Sequence, residues 1–366
     1  MFCRDINLPV DHEDFFTKSS PLFLTAVLAL YAQHLASGNS LLSRSIKCDT
    51  IKSYVRHCSQ FLMLFAETAY DFRHTSASDK TTHPYLQGIY DEVSRLEKIE
   101  DLREPFTTDM LKALHSIIQS EGHGPDSIHA ALADWFECGL FLGFRKSEWA
   151  QDSGHYNIHS QVKKDRFGNT RAFVFSDIVC LDANSRRNVG FCSATIPERM
   201  QVTFRTQKNG RNGERKLCAK NPNPSDSGLC FTTAMHNIQL RHQRLCGHFR
   251  DVANIPLAVF KDPNHQEPRN ITADEINSVM RECAQKAYGL DPNNTADAKT
   301  LKLWTSHSLR VGACNILHAM NVPVSKIQDR LRWCSTAFTR YLRNLAVDAL
   351  AQTKTMEEAS SVRFFL

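Results

Sequence analysis

A mainly α-helical chain with one small β-sheet, an α+β fold in two domains, is what this sequence predicts. Three observations carry that reading. Ile51, Tyr54, Val55, Cys58, Phe61, Leu62 and Phe65 recur at i, i+3, i+4, i+7, while Lys52 and Arg56 lie on the other face. Between residues 171 and 217 the pattern changes: a Val-, Phe- and Ile-rich run, then alternation at Met200, Val202 and Phe204, then Asn209-Gly210. The charged stretch Ile99 to Pro105 ends in proline and reads as a linker.

Taken in order, residues 1–19 mix charges without a period and form an N-terminal arm. Residues 20–100 make a small helical domain. Pro21 suits a first helical turn after Ser19 and Ser20, and that helix runs to about Ala36. A second starts near Thr50, and a third spans about Pro84 to Lys98. The second domain covers 105–345. It opens with helices over Thr108–Gln119 and Ser127–Leu142, the latter with Ile128, Leu132, Trp135 and Phe136 on its buried stripe. Arg171 to Leu181 reads as a strand. Met200 to Leu217 reads as a β-hairpin with a basic tip, because Asn and Gly both tolerate positive φ. Thr272 and Glu275 form a capping box, and Gly289 stops the helix they start. Further helices are expected over His307–Met320, from Pro323 to near Trp333, and after Ser335; within the tail, 346–366, a helix is expected over Val347 to Glu358.

Composition narrows the function. The chain has 366 residues, 42% hydrophobic and 23% charged, which sets it apart from low-complexity or disordered sequences. A formal net charge of +5 is compatible with nucleic acid and does not demand it. The longest apolar run, Leu22 to Leu30, is too short to span a bilayer, so an intracellular chain without a membrane partner is expected. Twelve cysteines include no Cys-x-x-Cys. Cys218, Cys230 and Cys246 with His248 match no common zinc module, so neither metal nor other cofactor is expected.

The chemistry sits in a few basic residues. His307 and Arg310 are three apart and share a helix face. Arginine forks hold the charged oxygens of a reacting phosphodiester bidentately. Arg310 is one candidate; Arg145 is another, at a helix end with Glu148 three residues on to hold it. Tyr341 is a nucleophile that needs cationic neighbours or a base. His307 serves as base or hydrogen-bond partner with a pKa near working pH. Lys208 on the hairpin tip can protonate a leaving oxygen, with Lys216 as its rival, and Trp333 can donate its indole N–H or wall the site. Each has a bland alternative: a helix-end arginine, a solvated lysine, a core histidine, a packing tyrosine.

In this order, Arg145, Glu148, Lys208, His307-x-x-Arg310, Trp333 and Tyr341 resemble the catalytic series of the tyrosine recombinases (the phage-integrase family). Arg332-Trp333 followed by Phe338-Thr339-Arg340-Tyr341-Leu342-Arg343 is most similar to the eukaryotic Crypton type. The resemblance implies a helical core-binding domain at 20–100 and a catalytic domain at 105–345. It implies a site-specific recombinase that cuts and rejoins DNA through a 3′-phosphotyrosyl link, without metal or cofactor. It also implies double-stranded DNA as partner, with Lys52, Arg56, Arg211, Arg215 and Lys216 as phosphate contacts. A homotetramer on DNA is expected from the C-terminal helix, with a monomer or weak oligomer when free, and nuclear residence if the host is eukaryotic. The alternatives are a catalytically silent DNA-binding descendant and a type IB topoisomerase-like relaxing activity. The sixty-three residues from Arg145 to Lys208 exceed the spacing in compact members and predict an extra strand or loop around Gly154 to Arg171.

Overall fold

Ser20 opens the first helix, its Oγ accepting from the Phe23 N–H at 3.2 Å in a computed structural model of the chain. The structure describes residues 18–37, 46–76, 78–96, 103–158, 162–165, 168–184, 187–207, 210–222 and 228–333. The N-terminal arm up to Thr17, Lys208, and everything from Cys334 onward lie outside the described residues; that includes Ser335, Tyr341 and the helix expected from Val347. The chain divides into two units, 1–100 and 101–366.

In the first unit, α1 (Pro21–Ala36), α2 (Cys48–Phe65) and α3 (Pro84–Leu96) share one core. Helix α2 buries Ile51, Val55, Ser59 and Leu62, as its period demands, against Leu24, Leu28 and Leu35 of α1 and Leu86 and Tyr90 of α3. It begins two residues earlier than expected, at Cys48. Lys52 and Arg56 stay exposed, with the Lys52 ammonium 5.3 Å from the centre of the Tyr90 ring.

The second unit is built around one buried helix. α4 (Thr108–Ser120) is followed by α5 (Ile128–Leu142), which is apolar nearly all round and buries residues 131–133, 135–140 and 142. Such a helix has no solvent face and belongs at a centre. It ends at Gly143, whose φ of 55° is left-handed, and a short turn follows as α6 (Lys146–Trp149). Trp135 stacks on Trp149 at 4.8 Å and meets Phe144 edge-on at 5.9 Å; Phe173 and Phe204 extend the same aromatic cluster.

A three-stranded antiparallel sheet, β1 (Ile178–Leu181), β2 (Arg199–Phe204) and β3 (Glu214–Ala219), lies in chain order. In β2, Met200, Val202 and Phe204 point inward, which is the alternation read from the sequence. Phe204 pairs with Glu214 and Arg199 with Ala219, so the hairpin is present. Its connection is longer than a two-residue Asn-Gly turn, because Arg205 leaves the ladder to pair with Asp177 at 3.0 Å. Gln207 then takes Asn212 Oδ1 through its backbone N–H and the Arg211 carbonyl through Nε2. The strand expected over Arg171–Leu181 is confined to its last four residues. Ala172, Phe173 and Val174 are fully buried, yet Asp177 accepts the Val174 N–H at 2.9 Å and folds 175–177 into a tight turn. An apolar run with no alternation signals burial, not necessarily a strand. The stretch Gly154–Arg171 forms, among its described residues, a loop with isolated bridges Asn157–Arg269 and Lys164–Thr170.

The chain continues through α7 (Phe231–Cys246), the two-residue pair β4 (Val259–Phe260) and β5 (Arg269–Asn270), and α8 (Ala273–Tyr288). Helix α8 carries the Thr272–Glu275 capping box and stops at Gly289, φ 65°. Cys230 and Cys246 flank and end α7, which puts them roughly 24 Å apart at 1.5 Å per residue. They cannot share one metal ion. Among the described residues no group of three or more His, Cys, Asp or Glu could hold one, and no helix is long and apolar enough to cross a membrane.

After α9 (Thr295–Leu301), α10 (Ser308–Ala319) and α11 (Val324–Leu331) close the unit. Helix α10 crosses α5 where Gly139 faces Leu309, and it meets the chain entering α4 where Gly312 faces the Phe106 carbonyl. A Cβ on Gly312 would clash with that backbone oxygen. Gly312→Ala is therefore expected to destabilise the protein by about 1–3 kcal/mol, as overpacking does. Urea unfolding checks it; an unchanged midpoint would disprove the close approach.

Candidate active site

Arg145, Glu148, Arg310 and Trp333, all named in the sequence, converge at the C-terminal end of α5. A helix end leaves its last carbonyls without intrahelical partners and carries partial negative charge. Here three arginines supply donors to consecutive carbonyls. Arg330 Nε donates to Phe141 O at 3.1 Å, Arg332 Nη1 to Leu142 O at 2.8 Å, and Arg310 Nη1 to Gly143 O at 2.7 Å. Arg310 Nη2 also donates to Leu331 O at 2.6 Å, so one guanidinium ties the end of α5 to the end of α11. The Gly143 turn permits this, since a Cβ there would stand 2.7 Å from the Leu331 side chain.

Arg145 follows that turn. Its Nη1 donates to Glu148 Oε1 at 3.0 Å, and its backbone N–H donates to Glu148 Oε2 at 2.9 Å. The Glu148 carboxylate also accepts from Arg332 Nη2 at 2.8 Å. Glu148 is 2% exposed and the Arg332 side chain 0%, whereas the Arg145 side chain keeps 22% of its surface. Of the two arginines on Glu148, only Arg145 reaches solvent to meet a ligand.

His307 stands immediately before α10. Burial pushes its pKa down to about 4, helped by the positive charges of Arg310, Arg103 and Arg145. This corrects the expectation of a histidine titrating near neutrality: His307 is a neutral imidazole at pH 7, suited to accept a proton or share a hydrogen bond. The Trp333 ring lies 4.3 Å from the Arg310 guanidinium carbon, a cation–π contact.

Lys208 and Tyr341 lie outside the described residues. Arg211 and Arg215 are exposed. Lys216 is not. It is 9% exposed, and its ammonium binds Glu214 at 3.0 Å and Asp329 at 2.9 Å. Alternation along β3 turns residues 216 and 218 inward, so Lys216 fastens the strand to α11 rather than facing a solvent-borne phosphate. Sequence reasoning missed Arg330 and Arg332 as site-building residues. Their left-handed and carbonyl-capping roles leave no periodic trace.

A second histidine gives a pH prediction. His242, fully buried with Nε2 donating to Ile255 O, is also held down to about 4 by burial. A histidine whose folded pKa is below its unfolded value of about 6.5 binds more protons when unfolded. Its contribution is intact above pH 6.5 and is lost as pH falls toward 4. His242 alone accounts for on the order of 3 kcal/mol over that window. His242→Gln should flatten the fall in urea-unfolding stability between pH 6.5 and 4.5; an unchanged slope would refute the assignment.

Solved structures that the chain resembles include the Tn1549 transposon integrase in complex with circular intermediate DNA. That likeness has 12% identity, a TM-score of 0.41, and covers 92% of this chain and 86% of the other. They also include the XerH site-specific recombinase bound to a palindromic difH substrate in a post-cleavage complex: 12% identity, TM-score 0.42, covering 99% of this chain and 75% of the other. No protein-family model matches the chain, and no curated protein does.

Proposed function

We infer that this chain is a site-specific DNA strand transferase of the tyrosine-recombinase kind. The observation that carries the reading is the meeting of Arg145 and Arg310 around the neutral His307, with Trp333 on Arg310. The Arg145 guanidinium, whose side chain keeps 22% of its surface, suits a phosphodiester whose non-bridging oxygens gain charge during substitution; Arg310, 2% exposed with one terminal nitrogen on each of two backbone carbonyls, offers only its remaining N–H groups from beneath.

In this reading Tyr341 attacks the scissile phosphorus. The Tyr341 oxygen–phosphorus bond forms, the bond to the 5′ oxygen breaks, and Lys208 gives that oxygen a proton. His307 accepts the tyrosine proton or a hydrogen bond. The product is a 3′-phosphotyrosyl link and a 5′-hydroxyl, and attack by a partner strand's 5′-hydroxyl reverses the step. Energy is conserved in the link, so no step draws on metal or nucleotide. Lys208 takes the acid role ahead of Lys216, whose ammonium is engaged by two carboxylates. Residues 20–100 act as the second arm on the duplex, with Lys52 and Arg56 one helical turn apart on the exposed face of α2. Tetramers form on DNA through the C-terminal segment from Val347, and a eukaryotic host of the Crypton type would place the protein in the nucleus.

Covalent capture tests this. The protein is incubated in EDTA with a randomised pool of nicked duplexes and quenched with SDS. Unmodified protein should give a protein–DNA adduct, and Tyr341→Phe none. No adduct from protein that still binds duplex would favour a silent DNA-binding descendant; equal adduct from both would exclude Tyr341.

A further inference from the structure

We propose that Arg332 is a positioning residue for the Arg145 phosphate contact, acting through the Glu148 carboxylate, and that the same turn aims Trp333 at Arg310. This rests on the strand-transfer reading only for the reaction that Arg145 serves.

The backbone supplies the first argument. Helix α11 ends in a Schellman-type cap: Trp333 N–H donates to Gln328 O at 2.8 Å and Arg332 N–H to Asp329 O at 3.2 Å. The left-handed position of that cap belongs by preference to glycine, which has no Cβ penalty. Arg332 occupies it at φ 58°. An arginine there costs about 1–2 kcal/mol of backbone strain. The side chain must more than offset that, and its contacts show how. It is 1% exposed, its guanidinium carbon lies 3.6 Å from the centre of the Phe204 ring, and its two terminal nitrogens donate to Leu142 O and Glu148 Oε2.

The second argument is the division of Glu148. One carboxylate oxygen serves the Arg145 guanidinium; the other serves Arg332 and the Arg145 backbone N–H. With Arg332 in place the carboxylate has no rotational freedom, and Arg145 inherits its orientation. Without Arg332, Glu148 can turn and Arg145 follows. Trp333 is the next residue in the chain, so the φ of Arg332 also sets where its indole lies relative to Arg310.

The test uses the full chain and two variants. Arg332→Gly relaxes the backbone and removes the guanidinium; Arg332→Lys keeps a charge but cannot make both bonds. Two readouts are taken: the rate of adduct formation with the nicked-duplex pool alongside duplex affinity, and the Arg145 Nε–Hε resonance, whose solvent exchange reports whether that guanidinium is held. Arg332→Gly should slow adduct formation about 10²-fold, the cost of a small misplacement, with duplex affinity unchanged and Arg145 exchange accelerated. Arg332→Lys should fall between. Unchanged adduct rate, or unchanged Arg145 exchange, overturns the proposal, and so does loss of duplex binding in step with rate, which marks a structural role only. If the unmodified chain forms no adduct, the strand-transfer reading fails separately, and Arg145 exchange alone decides the role of Arg332. If Arg332→Gly does not fold, the lysine variant is read by the same criteria.

Discussion

Glu148→Ala is expected to cost the protein about 3–5 kcal/mol of stability, the usual penalty for removing one partner from a buried ion pair. The magnitude follows from what the carboxylate neutralises. Two guanidinium groups and one backbone N–H depend on it, and the Arg332 side chain is wholly excluded from water. Arg332 could not recover its hydration without opening its contacts to Phe204 and Leu142. Glu148→Gln should lose less, since its amide oxygen still accepts one donor while its NH2 faces a cation. Urea unfolding of both variants measures this; a loss under about 1 kcal/mol for alanine would mean that the buried charges find other partners.

Arg310→Lys should slow adduct formation by about 10²–10³, the range seen when one fixed donor to a transition-state oxygen is lost. Charge is kept, so a purely electrostatic role would be spared. The fork is not kept. Arg310 spans the Gly143 and Leu331 carbonyls with separate nitrogens, while its plane lies against Trp333. A single ammonium reaches one carbonyl and leaves the other without its partner, so the ends of α5 and α11 also part. Single-turnover adduct kinetics on nicked duplexes give the rate. A lysine variant within threefold of the unmodified protein would remove Arg310 from the proposed chemistry.

How much of this was legible in the sequence depends on the reach of each interaction. Helix α2 and the capping box of α8 are local, and their periodicity and spacing reveal them. The Arg145–Glu148 contact spans three residues and is read as easily. Met200, Val202 and Phe204 alternate because one face of the sheet is buried. Residues 171–177 misled because full burial erases the alternation that separates strand from packed loop. Arg332 was invisible in its role: Glu148 and Leu142 lie 184 and 190 residues before it. The His307 pKa is not legible for the same reason: the burial that lowers it most, and the lesser pull of Arg103 and Arg145, come only with the fold.

The seam at Phe106 has a consequence for how the protein is made. Pro105 O accepts the Trp304 indole N–H at 3.0 Å, Phe106 N–H donates to Ser308 O at 3.0 Å, and Thr107 meets the Tyr288 hydroxyl at 2.7 Å. The first stretch of the second unit is thus closed by some of the last. On a ribosome, α4 and α5 emerge with that seam open and their apolar faces uncovered, waiting on nearly two hundred residues of loop closure. Translation must pass Gly312 before the core seals, and the same moment brings Arg310 to the end of α5. A nascent chain stalled short of that point has neither a closed core nor the Arg310 bonds that tie the end of α5 to the end of α11.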